Sequence, residues 1–273
     1  MHLSVVTVNL NNREGLQKTI DSVQKQRFRD FEFIVVDGAS TDGSINLIKQ
    51  MADQSDENFR WISEPDSGVY EAMNKGIRLS EGEYLLFLNS GDFLIDDRVF
   101  ENVFSKGHTA DILTGKCNVS QKGEVIHTTN PPENITFGFL YNHGLAHQST
   151  FIRRDAFQKY GMYSEDFRYN ADIEFWYRTI ILQNCSTETL PFIITDYNNH
   201  GISTKEKSSE TYRKEMIDIL SHPVLQKFVP DYDLWRKQHI EMEPFHWARS
   251  NKVINYLILS LYRLACRINS IRN

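Results

Sequence analysis

Residues 31–44, FEFIVVDGASTDGS, predict a strand, a turn and the start of a helix. Phe31 to Val36 is apolar except for Glu32 and contains three β-branched residues, which favours a buried strand. Asp37 to Gly43 is dominated by turn-forming residues, and Ser44 to Met51 then carries two isoleucines at helical spacing. The segment therefore predicts one strand–helix unit of an α/β fold.

The same pattern repeats on both sides of this segment. Strands are predicted at Leu3–Val8, Phe59–Ser63 and Tyr84–Leu88, and helices at Glu14–Gln26 and Gly68–Leu79. Successive units of this kind form a mostly parallel sheet with helices on both faces.

The following part of the chain is less regular. Its predicted strands are Asp111–Val119, Glu124–Thr128, His147–Ile152 and Leu190–Thr195, and its predicted helices are Asp172–Leu182 and Ser203–Leu220. The first two strands are expected to pair antiparallel around a short turn. We therefore expect a mixed rather than a purely parallel sheet.

Composition excludes several classes of protein. The 273 residues carry 30 Lys and Arg against 36 Asp and Glu, a net charge of −6, so no chain-wide basic field is available to bind nucleic acid. Cys117, Cys185 and Cys266 are far apart and lack the C-x-x-C spacing of a zinc site, which favours free thiols in a reducing cytosol. The N-terminus lacks the basic region of a secretory signal. We therefore expect a cytoplasmic protein without a nucleic-acid partner.

Polar residues follow three of the predicted parallel strands. They are Asn9-Leu10-Asn11-Asn12, Asp37-Gly38 and Asn89-Ser90-Gly91-Asp92. Any one of them is explained by turn formation alone, but ligands of open α/β sheets bind outside the carboxyl ends of the strands, so three together predict a site there. No G-x-G-x-x-G or P-loop motif is present to hold phosphate. We therefore expect a divalent cation bound to Asp92 to neutralise the phosphate charge in place of such a motif.

The C-terminal tail has a different character. From Trp247 to Asn273 the chain has five basic residues and no acidic one. On a helix, one arc is apolar (Val253, Leu257, Leu261, Leu264, Ile268) and another is basic (Lys252, Arg263, Arg267). Polar residues interrupt the tail too often for a membrane-spanning helix. Two interpretations stay open: a helix that lies on a membrane surface, and one that packs its apolar arc on the protein core.

Several strings resemble one family. They are SVVTVN at residues 4–9, VVDGASTDGS at 35–44, EPDSGVYEAMNKG at 64–76 and FLNSGD at 87–92. Over about residues 3–205 the chain resembles the nucleotide-sugar glycosyltransferases of family 2, which have the GT-A fold. The two later strings resemble the colanic-acid and capsular-polysaccharide type of bacterial enzyme. The resemblance implies a GT-A domain at 1–205 and a helical extension at 206–273 with the basic amphipathic helix.

The resemblance also implies a nucleotide pocket. Asp37 would contact the base or ribose, with Asn9 and Asn11 in the same pocket and Asp66 close by. Asn74, Lys75 and Asn89 belong to the strings that form the rest of this nucleotide-binding half.

The family's D-x-D metal motif falls on Asn89-Ser90-Gly91-Asp92, where only the last acid remains. Asp92 would hold Mg²⁺ or Mn²⁺ largely through diphosphate oxygens and water. His200 stands where the family has a histidine that completes the metal site. A lone histidine is as well explained as a turn or surface residue, so both readings stay open.

The family's base is the second acid of a Glu-Asp pair that opens a helix. ADIEFWYR at 171–178 matches this motif, with Ala171 in place of the glutamate and Asp172 in the position of the base. Asp172 could also cap that helix. His147-Gln148-Ser149 recurs in the resembling subgroup and is placed near the acceptor or the diphosphate.

The expected activity is transfer of a sugar, with inversion, from a nucleotide-diphosphate donor to a hydroxyl of a lipid-linked saccharide at the inner face of the plasma membrane. Two alternatives remain. A sugar-nucleotide pyrophosphorylase would need a Gly-rich basic loop after the first strand, which residues 9–15 do not provide. A catalytically degenerate carbohydrate-binding protein is suggested by the lost acids at Asn89 and Ala171, whereas Asp92 and Asp172 argue for an enzyme.

Overall fold

Nine strands form one mixed sheet in the computed structural model, which describes residues 1–54, 58–121, 123–198 and 209–272. The strands are β1 (Leu3–Asn9), β2 (Phe31–Asp37), β3 (Phe59–Ser63), β4 (Tyr84–Phe87), β5 (Phe93–Leu94), β6 (Ile112–Gln121), β7 (Glu124–Thr128), β8 (Thr150–Arg153) and β9 (Thr187–Asn198). Their order is β3-β2-β1-β4-β8-β6-β9-β5, with β7 paired to β6. This confirms the predicted mixed α/β sheet.

The four strands β3, β2, β1 and β4 are parallel. Every residue of β1 is buried, as expected for a strand that helices cover on both faces. Because the strands run in one direction, their carboxyl ends lie at one edge of the sheet. The loops that follow β1, β2 and β4 are therefore neighbours.

The helices of the described residues are α1 (Arg13–Gln24), α2 (Ser44–Gln54), α3 (Val69–Leu79), α4 (Val99–Phe104), α5 (Phe137–Asn142), α6 (Arg154–Tyr160), α7 (Ala171–Trp176), α8 (Glu210–Leu220), α9 (Val229–Ser250) and α10 (Lys252–Arg272). Apolar residues of α1, such as Leu16 and Ile20, pack with β-strand residues such as Val5 in the main core. On α3, a Cβ added to Gly76 would lie 2.3 Å from Val6 Cγ1. Only glycine permits this close approach of α3 to β1.

Two predicted elements differ in type from the structure over part of their length, and residues 203–208 of the helix predicted at Ser203–Leu220 lie outside the described residues. The strand predicted from His147 begins at Thr150 instead, because residues 147–149 form a 3₁₀ turn closed by the Ser149 N–H on the Ala146 carbonyl at 3.0 Å. The helix predicted to Leu182 is α-helical only to Trp176 and continues as a π-helix over Tyr177–Leu182. The first difference frees the His147 side chain from the sheet.

The chain divides into two compact units, Met1–Ile219 and Leu220–Asn273. In the second unit, α9 ends and α10 begins around Asn251, whose Oδ1 accepts the N–H groups of Val253 at 3.1 Å and Ile254 at 3.2 Å. The side chains of Leu264, Arg267 and Ile268 lie outside the described part of the chain. No helix among the described residues has the length and apolarity needed to cross a membrane.

Candidate active site

The ends of β1 and β2 meet at the predicted nucleotide pocket. Asn9 and Asp37 are register partners, and Asn9 Nδ2 donates to Asp37 Oδ1 at 2.7 Å. Asp37 Oδ2 accepts the Ser40 N–H at 2.9 Å and the Ser63 hydroxyl at 2.8 Å. Asp37 is fully buried. In this conformation it organises the loop after β2, and its predicted contact with the base or ribose stays a prediction.

Asn11 ties the loop after β1 to the loop after β2. Its backbone N–H donates to Ser40 Oγ at 2.8 Å, and its Oδ1 accepts the Thr41 N–H at 2.8 Å. Its φ of +48° is a left-handed conformation that asparagine tolerates better than most residues. Asn9 and Asn11 therefore both contact Ser40, and their place in a nucleotide pocket stays a prediction.

Asp66 joins this wall from the loop after β3. A Cβ on Gly38 would lie 2.6 Å from Asp66 Oδ2, so the two loops touch only because residue 38 is glycine. Asp66 Oδ1 accepts the Gly68 N–H at 3.1 Å. Burial, followed by the charges of Glu71 and Asp37, raises the pKa of Asp66 against the opposing effects of Gly68 and Lys75. Asp66 thus lies against the loop that follows Asp37, and its place in the nucleotide pocket stays a prediction.

Asn74 and Lys75 on α3 are engaged by the protein itself. The Asn74 side chain bonds Tyr163 N and O at 3.1 and 2.9 Å and Glu165 Oε1 at 2.8 Å. Lys75 pairs with Glu64 at 3.0 Å and Glu71 at 3.1 Å. These residues brace the loops around the pocket. A direct contact of either with a nucleotide stays a prediction.

Asn89 and Asp92 lie in the turn after β4 and present side-chain oxygens that receive no hydrogen bond from the described residues. Asn89 Oδ1 is buried with no hydrogen-bond partner among the described residues. Asp92 is 8% exposed, and burial, with the charge of Asp196, raises its pKa to about 7 against the opposing charges of His147 and Lys18. No donor from the described ranges bonds its carboxylate.

This pair of oxygens can be tested as a cation site. Within the described residues, no three His, Cys, Asp or Glu side chains are grouped to hold a metal ion, and His200 lies outside those residues. Carboxylate and amide oxygens are the ligands that Mg²⁺ and Mn²⁺ prefer, and such cations often take their remaining ligands from substrate phosphates and water. Asp92 and Asn89 fit an incomplete site of this type.

Asp172 lies in the first turn of α7 with 17% of its side chain exposed. Tyr70 Oη lies 2.8 Å from Asp172 Oδ1, and also 2.8 Å from the Tyr169 carbonyl. His147 Nδ1 lies 3.3 Å from Asp172 Oδ2. When Tyr70 donates its single proton to Asp172 and His147 donates from Nδ1, each oxygen of this carboxylate has a donor and the group is fixed in orientation. Sequence reasoning does not identify Tyr70, because its contact with α7 is non-local.

His147 connects Asp172 with the turn after β4. Its other ring nitrogen, Nε2, lies 3.3 Å from Asn89 Nδ2. Burial lowers the pKa of His147, but the hydrogen bond and charge of Asp172 and the charge of Asp92 raise it overall. His147 thus contacts both Asp172 and Asn89 and is influenced by the charge of Asp92. Its predicted place near the diphosphate or acceptor stays a prediction.

Comparison with solved structures identifies the class of fold. Staphylococcus aureus TarS, solved in complex with UDP-GlcNAc, is similar with a TM-score of 0.65 and 18% identity over 84% of this chain and 72% of that chain. A mannosyltransferase from Pyrobaculum calidifontis, solved with GDP-Man and Mn²⁺, has a TM-score of 0.59 and 12% identity over 97% and 80% of the two chains. The fold is the GT-A fold of glycosyltransferases.

The family is shown by sequence. The model of glycosyl transferase family 2 matches residues 4–161. An uncharacterized glycosyltransferase of Mycobacterium tuberculosis is 31% identical over 221 residues, which cover 77% of this chain and 80% of the relative. The chain belongs to glycosyl transferase family 2, which confirms the family predicted from sequence. The colanic-acid type stays a prediction.

Proposed function

We propose that the protein is an inverting glycosyltransferase in which Asp172 takes a proton from the acceptor hydroxyl. One observation carries this proposal: Asp172 lies in a single hydrogen-bonded array with His147 and Asn89, and the charge of the buried Asp92 acts on the same imidazole. In a glycosyltransferase the base and the group that holds the leaving diphosphate must lie around the same substrate. The array connects the proposed base, Asp172, with Asn89, which we assign to the diphosphate side. Membership of family 2 argues against the pyrophosphorylase alternative.

Asp172 has to carry out one chemical step, the removal of a proton from the acceptor hydroxyl. An alcohol is a poor nucleophile near neutral pH, so a carboxylate within hydrogen-bond reach removes its proton as the new C–O bond forms. Tyr70 and His147 occupy one position on each oxygen and leave further lone pairs for the acceptor. A single base opposite the leaving group implies one displacement, and hence inversion at the anomeric carbon.

We place the donor on the loops after β1 to β4. Asn9, Asn11, Asp37 and Asp66 form the wall for the nucleoside, and Asn89 lies toward the diphosphate. The similar structures hold UDP-GlcNAc and GDP-Man, which supports a nucleotide-diphosphate sugar as the donor class. Asp92 and Asn89 Oδ1 would hold Mg²⁺ or Mn²⁺. When bound, that cation supplies positive charge opposite the leaving diphosphate.

We further propose that the acceptor is a lipid-linked saccharide in polysaccharide or glycolipid assembly. The support is the second unit, where apolar side chains of α10 are exposed beside Lys252 and Arg263. Such a helix would hold the enzyme near an anionic membrane surface that carries the acceptor.

Asp172→Asn tests the proposed base. We expect kcat for hydrolysis of the sugar donor to fall by about 10²-fold or more, because the general base is lost, while affinity for UDP or GDP is retained. Activity is first located with a panel of UDP-, GDP- and dTDP-sugars, and NMR of the product then reports the anomeric configuration. If the protein binds nucleotide sugars of this panel but hydrolyses none of them, the carbohydrate-binding alternative would be favoured.

Asp155→Asn is the matched control. Asp155 is also an aspartate in the first turn of a short helix, α6, but it is exposed and follows β8 at the opposite edge of the sheet. Its substitution should leave kcat unchanged. Full activity of Asp172→Asn, or retention of configuration in the product, would contradict the proposed mechanism.

A further inference from the structure

A buried carboxylate from α8 holds the segment that precedes Asp172. Glu215 is 6% exposed and accepts the backbone N–H groups of Arg168, Tyr169 and Asn170 at 2.7, 3.0 and 3.1 Å. It also accepts from Asn170 Nδ2 at 3.0 Å. Neither the family match, which ends at residue 161, nor the sequence pattern of α8 points to this residue.

Three successive N–H groups directed at one carboxylate form an anion-binding nest, here filled by a side chain of the same protein. In the described part of the chain, no ion pair joins Glu215 to a cationic side chain, so its charge is balanced by N–H donors. A buried carboxylate is costly without such partners. The four hydrogen bonds therefore tie α8 firmly to residues 168–170.

These residues lead directly into the helix of the proposed base. Asn170 is the N-cap of α7, but its side chain makes no capping hydrogen bond. Instead its Nδ2 donates to Glu215 and to the Tyr212 carbonyl, both on α8. The start of α7 is thus fixed by another helix and not by its own cap.

The backbone of Tyr169 connects Glu215 with the surroundings of Asp172. The Tyr169 N–H is held by Glu215 at 3.0 Å, while its carbonyl is within 2.8 Å of Tyr70 Oη. The same hydroxyl lies 2.8 Å from Asp172 Oδ1. A shift of this segment would therefore move both Asp172 and the donor that orients it.

We infer that Glu215 is a positioning residue for the base: it sets the location of Asp172 by fixing residues 168–170. This inference rests on the proposed role of Asp172. Glu215 itself does not contact the reacting groups. It follows that the contact between α8 and residues 168–170 affects kcat as well as the stability of the fold.

Glu215→Gln tests this with little change in shape. Glutamine has one oxygen where glutamate has two, and its amide group would face the N–H donors of the nest. A displacement of about 1 Å can cost a catalytic group about 10²-fold in rate, so we expect kcat for donor hydrolysis to fall about 10- to 100-fold. KM for the sugar donor should stay within about twofold, because the nucleotide pocket is untouched.

Glu32→Gln is the matched control for stability. Glu32 is also a buried carboxylate that accepts backbone N–H groups, those of Glu81 and Gly82, together with the Ser4 hydroxyl. It lies at the start of β2, at the edge of the sheet opposite the site. We expect this variant to lower the melting temperature while kcat stays at the wild-type value.

The decisive comparison adds Asp172→Asn to Glu215→Gln. If Glu215 acts through Asp172, the double variant hydrolyses donor at the rate of Asp172→Asn alone. An unchanged kcat in Glu215→Gln, or an equal further loss in the Asp172→Asn background, would overturn the inference. Full activity of Asp172→Asn would instead overturn the proposed base, so the two failures are distinct.

A second variant is available if Glu215→Gln does not fold. Asn170→Ala removes one donor to Glu215 and should lower kcat severalfold. An unchanged kcat in Asn170→Ala would then reject the inference.

Discussion

The orientation of Asp172 is set by side chains that are distant in sequence. Tyr70 comes from α3 and His147 from the 3₁₀ turn before β8. Because one donor holds each carboxylate oxygen, rotation of the group would break both contacts. Fixed orientation matters in catalysis, since a base gains rate only when its lone pair is aimed at the proton that it removes.

Tyr70→Phe removes one of these donors. We expect kcat for donor hydrolysis to fall about tenfold, because the base becomes free to rotate, and the free energy of unfolding to fall by about 1 kcal/mol because a hydrogen bond of Tyr70 is lost. Steady-state kinetics and thermal unfolding measure the two effects. Tyr163→Phe is the control: its ring lies 5.8 Å from that of Tyr70, and its buried hydroxyl has no partner among the described residues. Equal kcat in both variants would show that Tyr70 does not orient the base.

Asp92→Ala tests the proposed cation site. We expect the gain in affinity for UDP or GDP on addition of Mn²⁺ to drop by about tenfold or more, since the sole retained acid of the motif is lost. Isothermal titration calorimetry with and without MnCl₂ measures this gain. Asp97→Ala is the control, because Asp97 is only half-buried and pairs with Arg27 at 2.8 Å. Mn²⁺-dependent affinity equal to that of the wild type would refute the role of Asp92.

At the scale of elements, the sequence predicts the strands that are buried on both faces. β1, β2 and β4 are mostly apolar and almost wholly buried, and the polar residues at or just after their ends mark the edge that carries the candidate site. The short strand β5 is different. It has two residues and pairs with β9 through a non-local contact, so no local pattern predicts it.

The same distinction applies to the candidate site. Asp172 is found from sequence because a motif surrounds it, and Asn9 and Asp37 are found because each ends a strand. Tyr70 and Glu215 are not found, because their partners lie 102 and about 45 residues away along the chain. A tyrosine or glutamate within a helix has no local signature that distinguishes it from an ordinary helical residue.

At the scale of the whole molecule, charge is unevenly divided. Residues 247–273 hold five of the 30 basic residues and none of the 36 acidic ones, so residues 1–246 carry 25 − 36 = −11. An anionic membrane would repel most of the chain and attract this tail. Exposed Val253, Leu257 and Leu261 of α10, with 69%, 54% and 66% of their surface accessible, add an apolar contribution.

Substitution of both Leu257 and Leu261 by Gln tests whether this helix binds membrane in the full-length protein. We expect co-sedimentation with phosphatidylglycerol vesicles to fall, because apolar area for insertion is lost, while donor hydrolysis in solution is unchanged. Wild-type binding should also weaken with salt and on phosphatidylcholine vesicles, since each basic residue contributes about 1 kcal/mol near an anionic surface. Ile217→Gln is the control, because Ile217 is 67% exposed but lies on α8. Undiminished vesicle binding, or a lowered melting temperature in the Leu variant, would favour packing of the apolar arc on the protein instead.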